Sequence, residues 1–285
     1  MTQHLLRDLL RGVLVAALAA GSLSLTLSPV GAQAPPRMTP ERLKALAAKP
    51  TPKLPDGRPD LNGTWDRIGG IEFVRPQALA NGTVCVLGCP GGGPPTASHQ
   101  PGFPKYKPEF VAKVKDLSDR QTQTDTALRC HPIGVPRIGP PGKIVQNARE
   151  VVFLYDDING SFFRIIPTDG RPHRKGLPAS YLGDSIGRWE KDTLVVETVN
   201  FNEDTWLADN GAFHTADLEV TERLRRVGDT IEFQATANDP AVLAEPWVTP
   251  ARTIWLTDRE LEESPRCDDR DMDLVTDGSH HDNPR

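Results

Sequence analysis

The chain has 285 residues, with 33 lysines and arginines against 38 aspartates and glutamates, for a formal net charge of −5. That balance offers no basic field to condense on phosphate backbones, which excludes nucleic acid as an expected partner. The 27 prolines and 24 glycines fall mostly in connecting stretches, which predicts a loop-rich β architecture rather than a helix bundle.

Residues 1–34 read as a cleavable signal peptide. Arg7 and Arg11 form a basic n-region, residues 12–27 (GVLVAALAAGSLSLTL) an apolar h-region, and Val30-Gly31-Ala32 or Ala32-Gln33-Ala34 a small-residue cleavage site. No cysteine sits there, which argues against lipid attachment. Beyond it nothing approaches the roughly 18 uninterrupted apolar residues a membrane span needs. The expected mature chain is therefore soluble, about 250 residues long, and placed in the periplasm or secreted. Export also argues against a soluble cytoplasmic cofactor such as NAD, and no cofactor is expected.

Residues 35–60 form a Pro-rich lead with one short helix, for which Thr39 is the N-cap and Pro40 the first position. A β-barrel-like domain follows over 61–267. Strand signals start at Gly63-Thr64-Trp65 and recur near 71–75 and 82–87. The Gly/Pro-dense stretch 88–108 reads as an inserted loop. A helix fits 108–119, with Pro108 at its start and Phe110, Val111, Val114 and Leu117 at helical spacing. Strands are then expected at 143–156, 161–167, 186–191, 193–201, 217–227, 230–238 and 252–257. Lys191-Asp192 and Gly228-Asp229 mark two hairpins, the glycine supplying positive φ. Consecutive hairpins predict an all-β, mainly antiparallel fold, a lipocalin-like or related closed or nearly closed barrel with one or two short helices. Residues 268–285 read as an acidic, flexible tail in which Asp269, Asp271 and Asp273 lack the glycine and glutamate of a calcium loop.

Cys85, Cys89, Cys130 and Cys267 make an even count, which in an oxidising compartment reads as two disulfides. Cys85 with Cys89 and Cys130 with Cys267 is the favoured pairing. The rival is a metal site built from the CVLGC pair with His99 or His131, but a second closely spaced Cys/His pair is missing and no metal is expected.

Strand alternation places charge inside the barrel. Leu218, Val220, Glu222 and Leu224 share one face of their strand, so Glu222 points inward, and Val195, Glu197, Val199 and Phe201 predict the same for Glu197. Arg164 alternates with Phe162 and Ile166, and either Arg164 or Arg223 would pair with a buried carboxylate. An internal structural ion pair is the plain reading; a polar ligand contact or an acid/base group in an apolar cavity is the functional one. The turn TDGRPH adds Asp169, Arg171 and His173 at a barrel mouth, where histidine exchanges protons near neutrality and arginine grips a carboxylate. Trp206, Asp209 and His214 occupy a further loop. GDSIG (183–187) matches the GxSxG nucleophile pattern around Ser185, yet a strand follows it where a helix is required.

The segments PDLNGTW, CHPIGVPR, FRIIPTDGRPH, YLGDSIGRWEKDTLVVETVNFN, TWLADNGAFHTADLEVTERLRR and NDPAVLAEPW resemble a large family of exported bacterial proteins, over about residues 57–270. The resemblance implies that Asp169, Arg171, Trp189, Trp206, His214, Glu222, Arg223 and Trp247 belong to the family's motifs, and it carries no activity with it. Relative to that pattern the CVLGC segment looks inserted. Gly63-Thr64-Trp65 is also similar to the G-x-W that opens lipocalins, with Trp65 closing the barrel floor.

Two functions are expected from these readings. The first is an envelope enzyme, a lyase or isomerase, that eliminates, hydrates or isomerises a small, partly apolar organic molecule. Glu222 or Asp169 would be its base, His173 or His214 its acid, and Arg171 or Arg164 would steady negative charge. The second is a binding protein with the same cavity, in which Trp65, Trp189 and Trp206 stack on the ligand and Glu197 contributes a polar contact. Hydrolysis through Ser185 comes third.

Overall fold

The computed structural model describes residues 38–66, 102–157 and 159–263, together with 77–78, 80, 82 and 84–85. The signal-peptide stretch, the strand expected at 71–75, most of the 88–108 loop, Cys89, Cys267 and the acidic tail lie outside the described residues. So does each predicted disulfide, since each includes Cys89 or Cys267.

A short helix α1 (Pro40–Ala47) opens the described chain, with Thr39 Oγ1 accepting from the Arg42 amide at 3.2 Å. Strand β1 (Gly63–Asp66) follows, then a small hairpin of β2 (Gln77–Ala78) and β3 (Val84–Cys85). Helix α2 (Val111–Asp119), entered through a 3₁₀ turn at Pro108, leads into α3 (Gln121–Thr124). The remaining strands are β4 (Lys143–Gln146), β5 (Glu150–Asp157), β6 (Gly160–Pro167), β7 (Asp184–Glu190), β8 (Thr193–Val199), β9 (Glu219–Val227), β10 (Thr230–Asn238), β11 (Trp247–Val248) and β12 (Arg252–Thr257).

Nine of these strands form a nearly closed barrel in the order β6-β5-β4-β1-β12-β10-β9-β8-β7, every neighbouring pair antiparallel. Both predicted hairpins are present, at Glu190↔Thr193 and Val227↔Thr230. The single strand expected at 143–156 is instead two, β4 and β5. Asn147 Oδ1 accepts from the amides of Arg149 and Glu150 at 2.8 and 3.0 Å and turns the chain there. Ile144 and Gln146 before the turn, and Val151 and Phe153 after it, all face the interior. The inward set switches from even to odd positions across the turn, which Asn147 makes with no glycine or proline to mark it in the sequence.

The core is filled by Ile144, Phe153, Ile166, Leu194, Val220, Leu224 and Ile231, each at most 1% exposed. Full burial of a side chain of this size contributes roughly 1.5–3 kcal/mol. One barrel end is closed by the lead. α1 docks on the Gly228–Asp229 turn, where the Asp229 amide donates to Leu46 O at 3.0 Å and Lys49 pairs with Asp229 at 2.7 Å. Trp65 lies buried at this end beneath the Arg226 guanidinium, 5.1 Å from its ring, and its Nε1 donates to Leu61 O at 3.0 Å. Among the described residues no helix is long and apolar enough to cross a membrane.

The opposite end is covered by α2 and the 200–218 loop, which meet at Phe213: Tyr106 stacks on its ring at 5.2 Å and Phe110 meets it edge-on at 5.9 Å. The loop packs closely on α2 at Gly211, where φ is +77° and an added Cβ would stand 2.2 Å from Val114 O and 2.8 Å from Ser118 N. Gly211→Ala is expected to destabilise the fold by roughly 2–4 kcal/mol, from left-handed strain plus a backbone clash. Urea denaturation reads this directly, and a loss under about 0.5 kcal/mol would show that the loop does not hold the helix.

Candidate functional site

Nine strands that alternate in direction leave the two end strands, β6 and β7, running the same way. No ladder joins them among the described residues. They nevertheless come close: a Cβ on Gly187 would lie 2.9 Å from Ile166 Cγ2. Parallel neighbours cannot be joined by a tight hairpin. The 168–183 segment therefore crosses back along the seam from the end of β6 to the start of β7. Between seam and crossover lies a cavity of about 530 Å³. Phe163, Ile165, Pro167, Pro172, Leu182 and Ile186 give it apolar walls, and Arg164, Ser185, Arg171 and Arg174 bring polar groups to it. Apolar walls with a few convergent polar groups are the usual make-up of a small-molecule site.

Behind this cavity the predicted inward pair is present. Arg164 Nη2 meets Glu222 Oε2 at 2.6 Å, with the side chains 3% and 0% exposed. The guanidinium also donates to Thr198 Oγ1 at 2.8 Å, Ser185 Oγ at 3.0 Å and Tyr155 Oη at 3.2 Å. Burial alone would lower the Arg164 pKa, but the charge of Glu222 and the neighbouring Tyr155 outweigh it and push it up. Glu222 Oε1 has no hydrogen-bond partner among the described residues. Arg164 and Ser185 line the cavity and Glu222 does not, so Glu222 lies behind Arg164 and acts through it. Ser185 sits within β7, accepting from Arg164 and sharing a hydrogen bond with Thr198 at 3.0 Å. The strand-turn-helix of a nucleophile elbow is not formed there.

The crossover carries a second constellation. His173 Nδ1 lies 3.0 Å from Asp184 Oδ2. Asp184 also accepts from the Arg174 amide at 3.0 Å and from Arg174 Nε at 2.7 Å. Burial pushes the Asp184 carboxyl up, but the Arg174 and His173 hydrogen bonds outweigh it and hold it below its usual value. A carboxylate on Nδ1 fixes the proton there and leaves Nε2 as the basic nitrogen. Asp169 pairs with Arg171 at 2.5 Å on the exposed turn, and the Arg171 hydrogen bond lowers its pKa to about 2. Asp169 is thus held ionised and engaged.

His214 falls elsewhere. It is 2% exposed, with Nδ1 2.9 Å from the Thr215 carbonyl and Nε2 2.8 Å from Thr205 Oγ1. The carbonyl can only accept, so Nδ1 carries the proton and Nε2 accepts from the threonine. Burial depresses the His214 pKa below its ordinary value. The folded state then binds fewer protons than the unfolded state, and stability falls as pH drops below about 6.5. His214→Gln is expected to flatten that fall, which is at most about 1.4 kcal/mol per pH unit for one proton. Melting curves from pH 5 to 8 check it, and an unchanged slope would remove His214 as the source.

Glu197 is a correction: it faces outward and pairs with Arg188 at 2.5 Å, its side chain 42% exposed. The inner face of β8 is Leu194, Val196 and Thr198. Val195 misled the pattern, because it is fully buried on the outer face, flanked across the strands by Arg188 and Arg223. The tryptophans do not converge on the seam cavity either. Trp65 lies beneath Arg226, Trp189 beneath Arg58 at 5.7 Å and Trp206 beneath Arg137 at 5.7 Å.

Sequence reasoning missed three things. Asp184, the partner of His173, stood one residue before Ser185 and went unremarked. The hydroxyls of Tyr155, Ser185 and Thr198 around Arg164 give little signal at strand spacing. Arg137 holds Asp125 through two bonds of 2.6 and 2.8 Å and Asp209 at 2.6 Å, all three side chains at most 5% exposed. It comes from an irregular Pro/Gly segment without periodicity. Fold and site together define a nearly closed antiparallel barrel with a pocket in its side wall. No protein-family model, curated protein or solved structure matches the chain.

Proposed function

We propose that the seam cavity binds a small, partly apolar organic molecule and that His173, oriented by Asp184, exchanges a proton with it. The reaction class is elimination, hydration or isomerisation, carried out outside the cytoplasm after removal of the signal peptide. The observation that carries this reading is the 3.0 Å contact of His173 Nδ1 with Asp184: Asp184 lines the cavity, as do Pro172 and Arg174 on either side of His173, which stands at its edge. With Nδ1 held by the carboxylate, Nε2 accepts a proton from a carbon or oxygen acid and returns it at a neighbouring position. Arg164 at the cavity floor, with hydroxyls around it, donates to a carbonyl or enolate oxygen as charge develops. Glu222 keeps that guanidinium in place, and the apolar walls receive the hydrophobic part of the ligand.

Thermal-shift screening of small aryl and alicyclic ketones, followed by NMR of deuterium uptake from D2O, tests both halves. The expected result is that His173→Asn retains binding and slows exchange by about 10²–10⁴-fold. Exchange at the wild-type rate in that variant would overturn the catalytic role.

A second reading, a carrier without turnover, is favoured by one observation. The arginines lining the cavity are already paired, Arg164 with Glu222, Arg171 with Asp169 and Arg174 with Asp184. Binding without exchange in the wild-type protein would select it.

A further inference from the structure

A second cavity, of about 620 Å³, lies under the 200–218 loop. It is lined by Thr126, His131, Tyr181, Glu203, Asp204 and Trp206, among others. Two features set it apart from a surface hollow. Thr126, 5% exposed, lines the cavity, and its buried Oγ1 has no hydrogen-bond partner among the described residues. A buried hydroxyl left in that state is an uncompensated loss of hydration that a ligand's polar atom would repair. Tyr181 also lines both cavities. Its ring stacks on His131 at 5.5 Å and 10° between planes, and the consecutive residues His131 and Pro132 face one cavity each. A single aromatic stack is therefore the partition between the two.

The two chambers differ in chemistry. The seam cavity is walled mainly by aliphatic and proline side chains, with Phe163, around guanidinium groups. The second presents the Glu203 and Asp204 carboxylates, the Gln123 amide, the Thr126 hydroxyl and the Lys113 and Arg129 cations beside aromatic faces. Carboxylates and amides accept from hydroxyl groups, the threonine completes a donor–acceptor set, and aromatic rings cover the C–H faces of a saturated ring.

We propose that the second cavity is a subsite for a hydroxyl-rich group. The ligand is then a two-part molecule, with an apolar part in the seam cavity and a polyhydroxylated part beyond Tyr181. This rests on the seam cavity being the binding site, and the test separates the two. Calorimetry with 4-ethylphenol probes the seam cavity alone, methyl β-D-glucoside the second cavity alone, and 4-ethylphenyl β-D-glucoside both.

The conjugate is expected to bind at least about tenfold more tightly than 4-ethylphenol, as joined fragments do when both are seated. Thr126→Val, which exchanges a hydroxyl for a methyl group of like size, is expected to abolish that gain and leave 4-ethylphenol binding unchanged. Glu203→Gln/Asp204→Asn, on the exposed rim, is expected to reduce the gain independently of any effect on the buried threonine. Equal affinities for the conjugate and 4-ethylphenol would overturn the two-part ligand. So would a conjugate whose advantage survives both variants. Failure of 4-ethylphenol itself to bind, with methyl β-D-glucoside still bound in a Thr126-dependent way, would instead overturn the seam reading and leave the second site standing.

Discussion

Glu222→Ala is expected to cost about 3–5 kcal/mol of folding stability, the usual consequence of leaving one member of a buried ion pair behind. For a chain of this length that corresponds to a fall of about 6–20 °C in melting temperature. The magnitude follows from where the surviving charge is left. Arg164 stays cationic with its side chain 3% exposed, and the remaining partners are the neutral hydroxyls of Ser185, Thr198 and Tyr155. The double variant Arg164→Met/Glu222→Leu removes both charges and fills similar volume, so it is expected to return to within about 1 kcal/mol of the parent, or above it. Urea denaturation of the three proteins is the measurement. A Glu222→Ala protein within about 1 kcal/mol of the parent would show that the pair contributes little to holding the barrel. The same double variant separates roles: a stable barrel without Arg164 that no longer binds ketones assigns the guanidinium to the ligand.

Arg137→Met is expected to be more severe, at roughly 4–5 kcal/mol or more, and to leave little folded protein at 37 °C. Here one cation serves two carboxylates, and its removal strands Asp125 and Asp209 together in the interior. Burial alone would lower the Arg137 pKa, but the two charges outweigh it and push it up, so the guanidinium stays charged at any pH the fold survives. The cluster already carries one excess negative charge, and Asp209 Oδ2 has no hydrogen-bond partner among the described residues. Asp209→Asn keeps an oxygen for Arg137 while removing the excess charge, and is expected to be neutral or stabilising by up to about 1 kcal/mol. A destabilised Asp209→Asn together with a tolerated Arg137→Met would reverse the account. Asp125 also receives the Ala127 amide at 2.9 Å and so caps the turn that carries Thr126. Damage to this cluster is therefore expected to reach the second cavity.

What could be read from the sequence follows from which strands have one apolar face. β9 alternates cleanly, so Val220, Glu222 and Leu224 were assignable to the interior, and a carboxylate among them stood out. β8 is apolar on both faces, because Val195 is buried beneath an outer ion-pair network, and the parity of Glu197 was read the wrong way round. The hairpin at Gly228 was legible from its glycine, whereas the turn at Asn147 has no glycine or proline and shows only as a shift of inward parity from even to odd. Of the candidate site, His173 and Arg171 showed as polar groups on a marked turn. Their convergence with Asp184 depends on a crossover that no local pattern encodes. The Arg137 cluster joins residues separated by 12 and 72 positions, through segments with no period at all.

The seam itself follows from arithmetic. On a closed ring, neighbours can all oppose one another only when their number is even; with nine, one adjacent pair must agree. That mismatch cannot be removed by changing side chains, only moved to another pair of strands. In this chain it falls between β6 and β7, whose facing edges line the seam cavity. The strand count makes a parallel pair unavoidable, and among the described residues this chain leaves that pair without a ladder.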